Sequence, residues 1–267
     1  MKTRIITTAV CVPLLVAILL SNSFVVMAAL MVLSLVGLTE FYKAVGLTKC
    51  RPLCIAGYAA GLLIPMTSHI PLHFSMLLFY LLMLVIFGIM LYRHKTVSVT
   101  DAALVVLSLV YIPYFLTHIL YIREMEYGKF YIWFVFIGAF LTDSCAYFSG
   151  VFLGKHKLCP EISPKKTIEG AVGGVIGCIV FFVIYGLILE YIFGKRVSYP
   201  NIILLGAFAS VISEIGDLAA SIIKRHYGIK DYGNLFPGHG GVLDRCDSVI
   251  LVSPAVFMFL LSFEIIL

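Results

Sequence analysis

The chain has 267 residues, of which 61% are hydrophobic and only 12% charged, and its mean hydropathy is +1.07. A soluble domain carries about a quarter charged residues, so this composition excludes an ordinary water-soluble fold and points to a bilayer. A span takes about 20 apolar residues, which leaves little chain for a soluble domain. The seven cysteines are scattered, odd in number and without a CxxC pair. They read as small apolar side chains rather than a disulfide framework.

Charges punctuate the chain into about nine predicted spans, an all-α polytopic membrane protein. The opening MKTRIITTAVCVPLLVAILL resembles a signal peptide, but FVVMAALMVL continues apolar with no polar cleavage region, so it reads as an uncleaved first span. The charge-free stretch from Arg4 to Glu40 holds two spans, broken near Ser21-Asn22-Ser23. The stretch from Arg51 to Arg93 holds two more, turning at PMTSHIPLH, where Pro and His resist the middle of a lipid-facing helix. The first of that pair, Leu53 to Ile64, is the weakest span. Five more follow at about Ala102–Tyr121, Phe130–Phe152, Ala171–Phe193, Asn201–Ile223 and Ser248–Leu267. Residues 1–125 are plain spans with small basic loops. Residues 126–267 hold nearly all the polar features, including two loops at 153–170 and 224–248.

With nine spans and a cytoplasmic N-terminus, the inside segments carry Lys2, Arg4, Lys43, Lys49, Arg51, Arg93, Lys95, Lys155, Lys157, Lys165, Lys166, Lys224, Arg225, Lys230 and Arg245. Only Arg123, Lys129, Lys195 and Arg196 fall outside. That asymmetry obeys the positive-inside rule. It places both polar loops in the cytoplasm and the C-terminus outside.

Four acids fall within predicted spans: Asp143, Glu214, Asp217 and Glu264. Intramembrane acids face a cavity or a partner. Glu264, near the chain end, reads as snorkelling to the interface, and Glu214 as doing the same inside the bundle through a polar partner. In SEIGDLAASIIKRH, Asp217, Ser221 and Lys224 share one helix face, with Arg225 beside them. The stripe suits either an internal salt bridge or a site that rises into the loop after it. Asp244 and Asp247, three apart in LDRCDS, sit at the mouth of the last span, where acids also suit a helix N-terminus. Three carboxylates, Asp217, Asp244 and Asp247, meeting at the membrane surface would make an oxygen-rich site suited to Mg²⁺ and not to zinc. Asp143 in FLTDSCAYFSG leads into GKHKLCPEISPKKTIEG. There Ser163, Lys165, Lys166 and Thr167 precede a helix start, either as a phosphate cradle or as a positive-inside anchor with a cap. Gly240 and Gly241 beside His239 allow close backbone approach to a ligand.

The stretch SIIKRHYGIKDYGNLFPGHGGVLDRCDS is similar to the signature of the phosphatidate cytidylyltransferases, S-x-x-K-R, K-D, P-x-H-G-G and x-x-D-R-x-D. It is carried here by Ser221, Lys224, Arg225, Lys230, Asp231, Pro237, His239, Gly240, Gly241, Asp244, Arg245 and Asp247. The stretch TDSCAYFSGVFLGKHKLCPEISPKKTIEGAVGG resembles the family's second recurrent segment. The likeness is specific over about residues 140–250. Over the first half it extends only to being multi-span.

The resemblance implies that CTP and phosphatidic acid give CDP-diacylglycerol and pyrophosphate at the cytoplasmic face of the membrane, which reads as a bacterial inner membrane because no organelle-targeting extension precedes Met1 and the loops are short. It also implies Mg²⁺ and is compatible with an additional monovalent cation such as K⁺ and with a homodimer; no nucleic-acid partner is expected. Such a transfer asks for positioning and charge neutralisation. Asp217 and Asp244 would hold the metal, with Asp247 completing or supporting it. Lys165, Lys166, Lys224, Arg225 and Arg245 would meet phosphates of CTP or the lipid headgroup, with Asp143, Ser163, Thr167, Ser221, Gly240 and Gly241 around the substrates. His239 would orient a phosphate or protonate the leaving pyrophosphate. An ion-coupled transporter would use intramembrane acids too, but these cluster toward one edge and no inverted repeat is evident. A CTP-dependent lipid kinase is the nearer rival, and the complete signature argues for cytidylyl transfer over it.

Overall fold

The computed structural model describes residues 2–235 and 240–267, with the side chains of residues 2–8 left aside. Among the described residues nine helical bodies appear: α1 (Lys2–Leu20), α2 (Ser23–Ala44), α3 (Arg51–Met66), α4 (Leu72–Tyr92), α5 (Val99–Arg123), α6 (Gly128–Leu153), α7 (Ile168–Tyr191), α8 (Tyr199–His226) and α9 (Leu243–Ser262). Each coincides with one expected span. Seven are long and apolar enough to cross a membrane; α1, of which only Ala9–Leu20 counts, and the 16-residue α3 are shorter. The protein is an all-α polytopic membrane protein. In α4 an almost unbroken apolar sequence is exposed on every side, with Ile86 its one buried residue, as suits a helix solvated by lipid.

Two differences from the sequence reading have local causes. The last helix stops at Ser262 rather than Leu267. The residues after it leave the helix to pair with the chain ahead of α8: Ile266 bridges Val197, and Leu267 N–H donates to the Arg196 carbonyl. Glu264 therefore lies beyond the helix, exposed, while its carbonyl accepts from Asn201 Nδ2 at 2.7 Å. The segment SPKKT, expected within the loop at 153–170, has regular structure. It forms strand β2 (Ser163–Thr167), paired antiparallel with β1 (Lys157–Cys159), and runs directly into α7.

The chain divides into two compact units, residues 1–120 with 227–245, and residues 121–226 with 246–267. In the first unit α2 and α3 pack through glycines. A Cβ at Gly57 would collide with Tyr42 Oη, and one at Gly61 would lie 2.5 Å from Leu38 Cδ1. Lipid supplies no hydrophobic drive between helices, so close backbone approach is what gains dispersion contact. Tyr42 accepts from Ser108 at 3.3 Å, which ties α2 to α5. In the second unit the GAVGGVIG run opens α7 with glycines at positions 170, 173, 174 and 177, which meet Ala146, Ser149 and Cys145 of α6.

Two helices carry π-bulges, at Val110–Tyr114 in α5 and at Ile137–Leu141 in α6. In the first, Pro113 lacks the N–H an α-helix would use. The second ends two residues before Asp143. Ser213 Oγ on α8 reaches the Ala139 carbonyl within it at 3.5 Å.

Candidate active site

The second unit gathers most of the polar residues singled out from the sequence. β2 leaves Lys165 exposed while Lys166 turns inward, with 20% of its side chain exposed. Lys166 Nζ lies 2.6 Å from Glu214 Oε2 and 2.8 Å from Asp217 Oδ2 on α8. Burial alone would lower the Lys166 pKa, but Asp217 and Glu214 outweigh it and hold the ammonium above its usual value. On α8 the expected stripe of Asp217, Ser221 and Lys224 is present, with Ser221 and Lys224 buried. It extends one turn further, to Glu214.

Asp143 lies within charge–charge reach of Asp217, Lys166 and Glu214, and its Oδ2 accepts from Ser248 Oγ at 3.1 Å. Asp247 is buried, within reach of Asp217, Lys224 and Asp143, and its Oδ1 accepts the Ser248 N–H at 2.9 Å. Gly216 makes this possible: a Cβ there would stand 3.0 Å from the Asp247 carbonyl, so only glycine lets α8 and α9 approach so closely. Four carboxylates (Asp143, Glu214, Asp217 and Asp247) thus face two ammonium groups, Lys166 and Lys224.

Around this cluster, Thr167 Oγ1 accepts the Gly170 N–H at 3.1 Å and caps α7. Glu169 closes the turn before β1 by accepting the Lys155 N–H at 3.0 Å and meeting His156 Nδ1 at 2.6 Å. Arg225, exposed, donates from Nε to the Ile162 carbonyl at 3.4 Å, while Ser163 is half-buried.

The first unit holds the rest of the signature. Asp244 Oδ2 accepts the N–H groups of Tyr232, at 2.8 Å, and Gly241, at 3.0 Å. Gly240 has φ +86°, a left-handed conformation that favours glycine. Arg245 is exposed. His239 lies outside the described residues. The expected metal set therefore divides, with Asp217 and Asp247 in one unit and Asp244 in the other.

Among the described residues no three His, Cys, Asp or Glu side chains form a ready-made metal cage. The donor chemistry nevertheless fits a hard divalent ion. The cluster in the second unit carries two carboxylates more than ammonium groups. Glu214 Oε1 is buried with no hydrogen-bond partner. Mg²⁺ takes only one or two carboxylates and fills its shell with water and phosphate oxygens.

Sequence reasoning missed two residues. Sequence reasoning gives Glu214 a polar partner inside the bundle, which Lys166 supplies, but leaves it out of the site, although its place three residues before Asp217 sets it on the same helix face. Glu40 served only to mark the end of an uncharged run, yet it is 7% exposed and holds two backbone amides of the signature loop.

Apolar helices long enough to cross a bilayer, with lysine-bridged carboxylates in the second unit, define an integral membrane protein with a charged cluster. More particularly, residues 2–263 match the model of the Cytidylyltransferase family, and the chain belongs to that family. It is similar to the phosphatidate cytidylyltransferase of Bacillus subtilis strain 168, with 38% identity over 70% of this chain and 68% of that one. It is also similar to the phosphatidate cytidylyltransferases of Staphylococcus aureus strain COL and Staphylococcus epidermidis strain RP62A. These are 32% and 30% identical, each over 98% of this chain and 100% of the relative.

Proposed function

We infer that this chain is a phosphatidate cytidylyltransferase. A phosphate oxygen of phosphatidic acid attacks the α-phosphorus of CTP in line, the bond to the β-phosphate oxygen breaks, and CDP-diacylglycerol and pyrophosphate form. The observation that carries the site assignment is Lys166 held between Glu214 and Asp217, an ammonium group fixed among carboxylates beside a bilayer. A phosphate monoester is already anionic near neutral pH, so the site needs placement and charge neutralisation more than a strong base.

Asp217 and Asp247, with Asp244 of the same signature, are the residues that would hold Mg²⁺, and Asp143 and Glu214 add negative charge to that set. The ion supplies charge neutralisation at the triphosphate. A monovalent cation such as K⁺ suits the same excess of carboxylate. Lys166 and Lys224 bind phosphate oxygens of CTP from inside the cluster. The exposed Lys165, Arg225 and Arg245 meet the triphosphate or the lipid headgroup at the membrane surface. Ser163 and Ser221 contribute hydroxyls, Gly240 and Gly241 bring backbone close to a phosphate, and His239 orients or protonates the leaving pyrophosphate. All nine helices cross a bacterial inner membrane, with the N-terminus and the loops at 153–170 and 224–248 in the cytoplasm. The active form is a homodimer.

The deciding assay uses purified protein in detergent with phosphatidic acid, Mg²⁺ and CTP labelled either at the cytidine or at the γ-phosphate. Cytidine label in lipid, with pyrophosphate released, is the expected result. The γ label in lipid would make the protein a kinase and overturn this reading.

A further inference from the structure

Glu40 stands on α2, more than 200 residues from the loop it holds. Its Oε1 accepts the Val242 N–H at 2.9 Å, and its Oε2 accepts the Leu243 N–H at 2.9 Å. These amides open α9, where the first N–H groups lack acceptors within the helix and the helix dipole favours an anion. Two glycines of the loop lie flush against the same carboxylate. A Cβ at Gly241 would sit 2.5 Å from both of its oxygens, and one at Gly233 would also collide with it. A buried carboxylate is costly unless it is hydrogen-bonded. An apolar side chain would serve a span better if packing were its whole task.

The second clamp on this loop comes from Asp244, through the N–H groups of Tyr232 and Gly241. Two carboxylates thus hold four backbone amides, those of residues 232, 241, 242 and 243. Glu40 is the one that ties them to α2.

We infer that Glu40 is a positioning residue for cytidylyl transfer: from α2 it fixes the glycine-rich loop and the helix start on which Asp244 stands. The inference rests on the reading that this loop serves the reaction. Its glycines at 233 and 241 are in this view a fit to the carboxylate as well as to any ligand.

The test uses the full-length protein in detergent, with Glu40→Gln and Glu40→Ala variants. Glutamine keeps one acceptor oxygen but turns an NH₂ toward the second amide. Misplacement by about 1 Å can cost about 10²-fold, so kcat should fall by about that factor in Glu40→Ala and by less in Glu40→Gln. KM for phosphatidic acid should stay within about twofold. Hydrogen exchange at the Val242 and Leu243 amides, read without substrate, should quicken in both variants. That readout remains valid even if the wild type made no CDP-diacylglycerol, so a failure of the functional reading is distinguishable from a failure of this one. In the Glu40→Ala background, Gly233→Ala should cost little more, because its methyl enters space the carboxylate has left. Unchanged kcat despite faster exchange would overturn the inference. So would a loss of kcat fully explained by a smaller folded fraction, or independent, multiplicative effects of Glu40→Ala and Gly233→Ala.

Discussion

Replacing Lys166 with methionine keeps its length and removes its charge. In the wild type its ammonium lies 2.6 Å from Glu214 and 2.8 Å from Asp217, with side chains 10% and 29% exposed. Breaking a buried pair by removing one partner costs about 3–5 kcal/mol. Lys166 and Asp217 are partly open to solvent, so about 2 kcal/mol is the better expectation here. The stranded group is Glu214, whose Oε1 already lacks a partner and whose Oε2 would lose its own. Adding Glu214→Gln should therefore recover stability, with a coupling of about 1–2 kcal/mol between the two positions. Denaturant titration in mixed micelles, followed by the fluorescence of the single tryptophan, Trp133, measures all four corners of the cycle.

The pH dependence has a definite sign. The pKa of Lys166 is raised in the fold, so its stabilisation is fully present below the unfolded value of about 10.4 and is lost only as pH rises through the higher folded one. The contribution of the Lys166 charge itself to the gap between wild type and Lys166→Met should be lost only as pH rises past about 10. A Lys166→Met variant as stable as wild type, or strictly additive effects with Glu214→Gln, would refute the account of Lys166 as the ion that makes this cluster tolerable.

Asp217→Asn should abolish turnover while leaving the folded fraction intact, and near-normal activity would remove Asp217 from the metal assignment. Gly240→Ala places a side chain at φ +86° and a Cβ 3.0 Å from Asp244 Oδ2, and should cost about 1–2 kcal/mol with at least a tenfold loss of activity. Gly88→Ala on α4, where a Cβ meets nothing within 4 Å, is its control and should be silent. A reporter fused after Leu267 should read as external; a cytoplasmic signal would mean that the number of crossing helices is even.

The helices were legible because charge interrupts an otherwise apolar chain, and burying an isolated charge in hydrocarbon is expensive enough to mark most boundaries; the turns at Ser21-Asn22-Ser23 and PMTSHIPLH are marked by small polar residues, Pro and His instead. Periodicity likewise placed Asp217, Ser221 and Lys224 on one face. The inward turn of Lys166 was not legible, because it depends on β2 pairing with β1, and SPKKT alone fits a loop equally well. Glu40 was hidden for the opposite reason. Its partners are backbone amides more than 200 residues away, and backbone hydrogen bonds leave no residue-type signature. The π-bulges leave no distinct signature either, since a bulge and a regular turn use the same apolar residues.

The bulge at Ile137–Leu141 makes α6 one residue too long for its own turn count. Each residue advances an α-helix by about 100°. Deleting one position there would restore a regular helix, and everything downstream would rotate by that angle relative to Trp133. Asp143 would leave the face shared with Ser248, and Cys145 and Ser149 would swing away from Gly177 and Gly173. The length of this segment is thus as much a part of the site as any side chain in it. A deletion that looks conservative in composition would act as a change of phase.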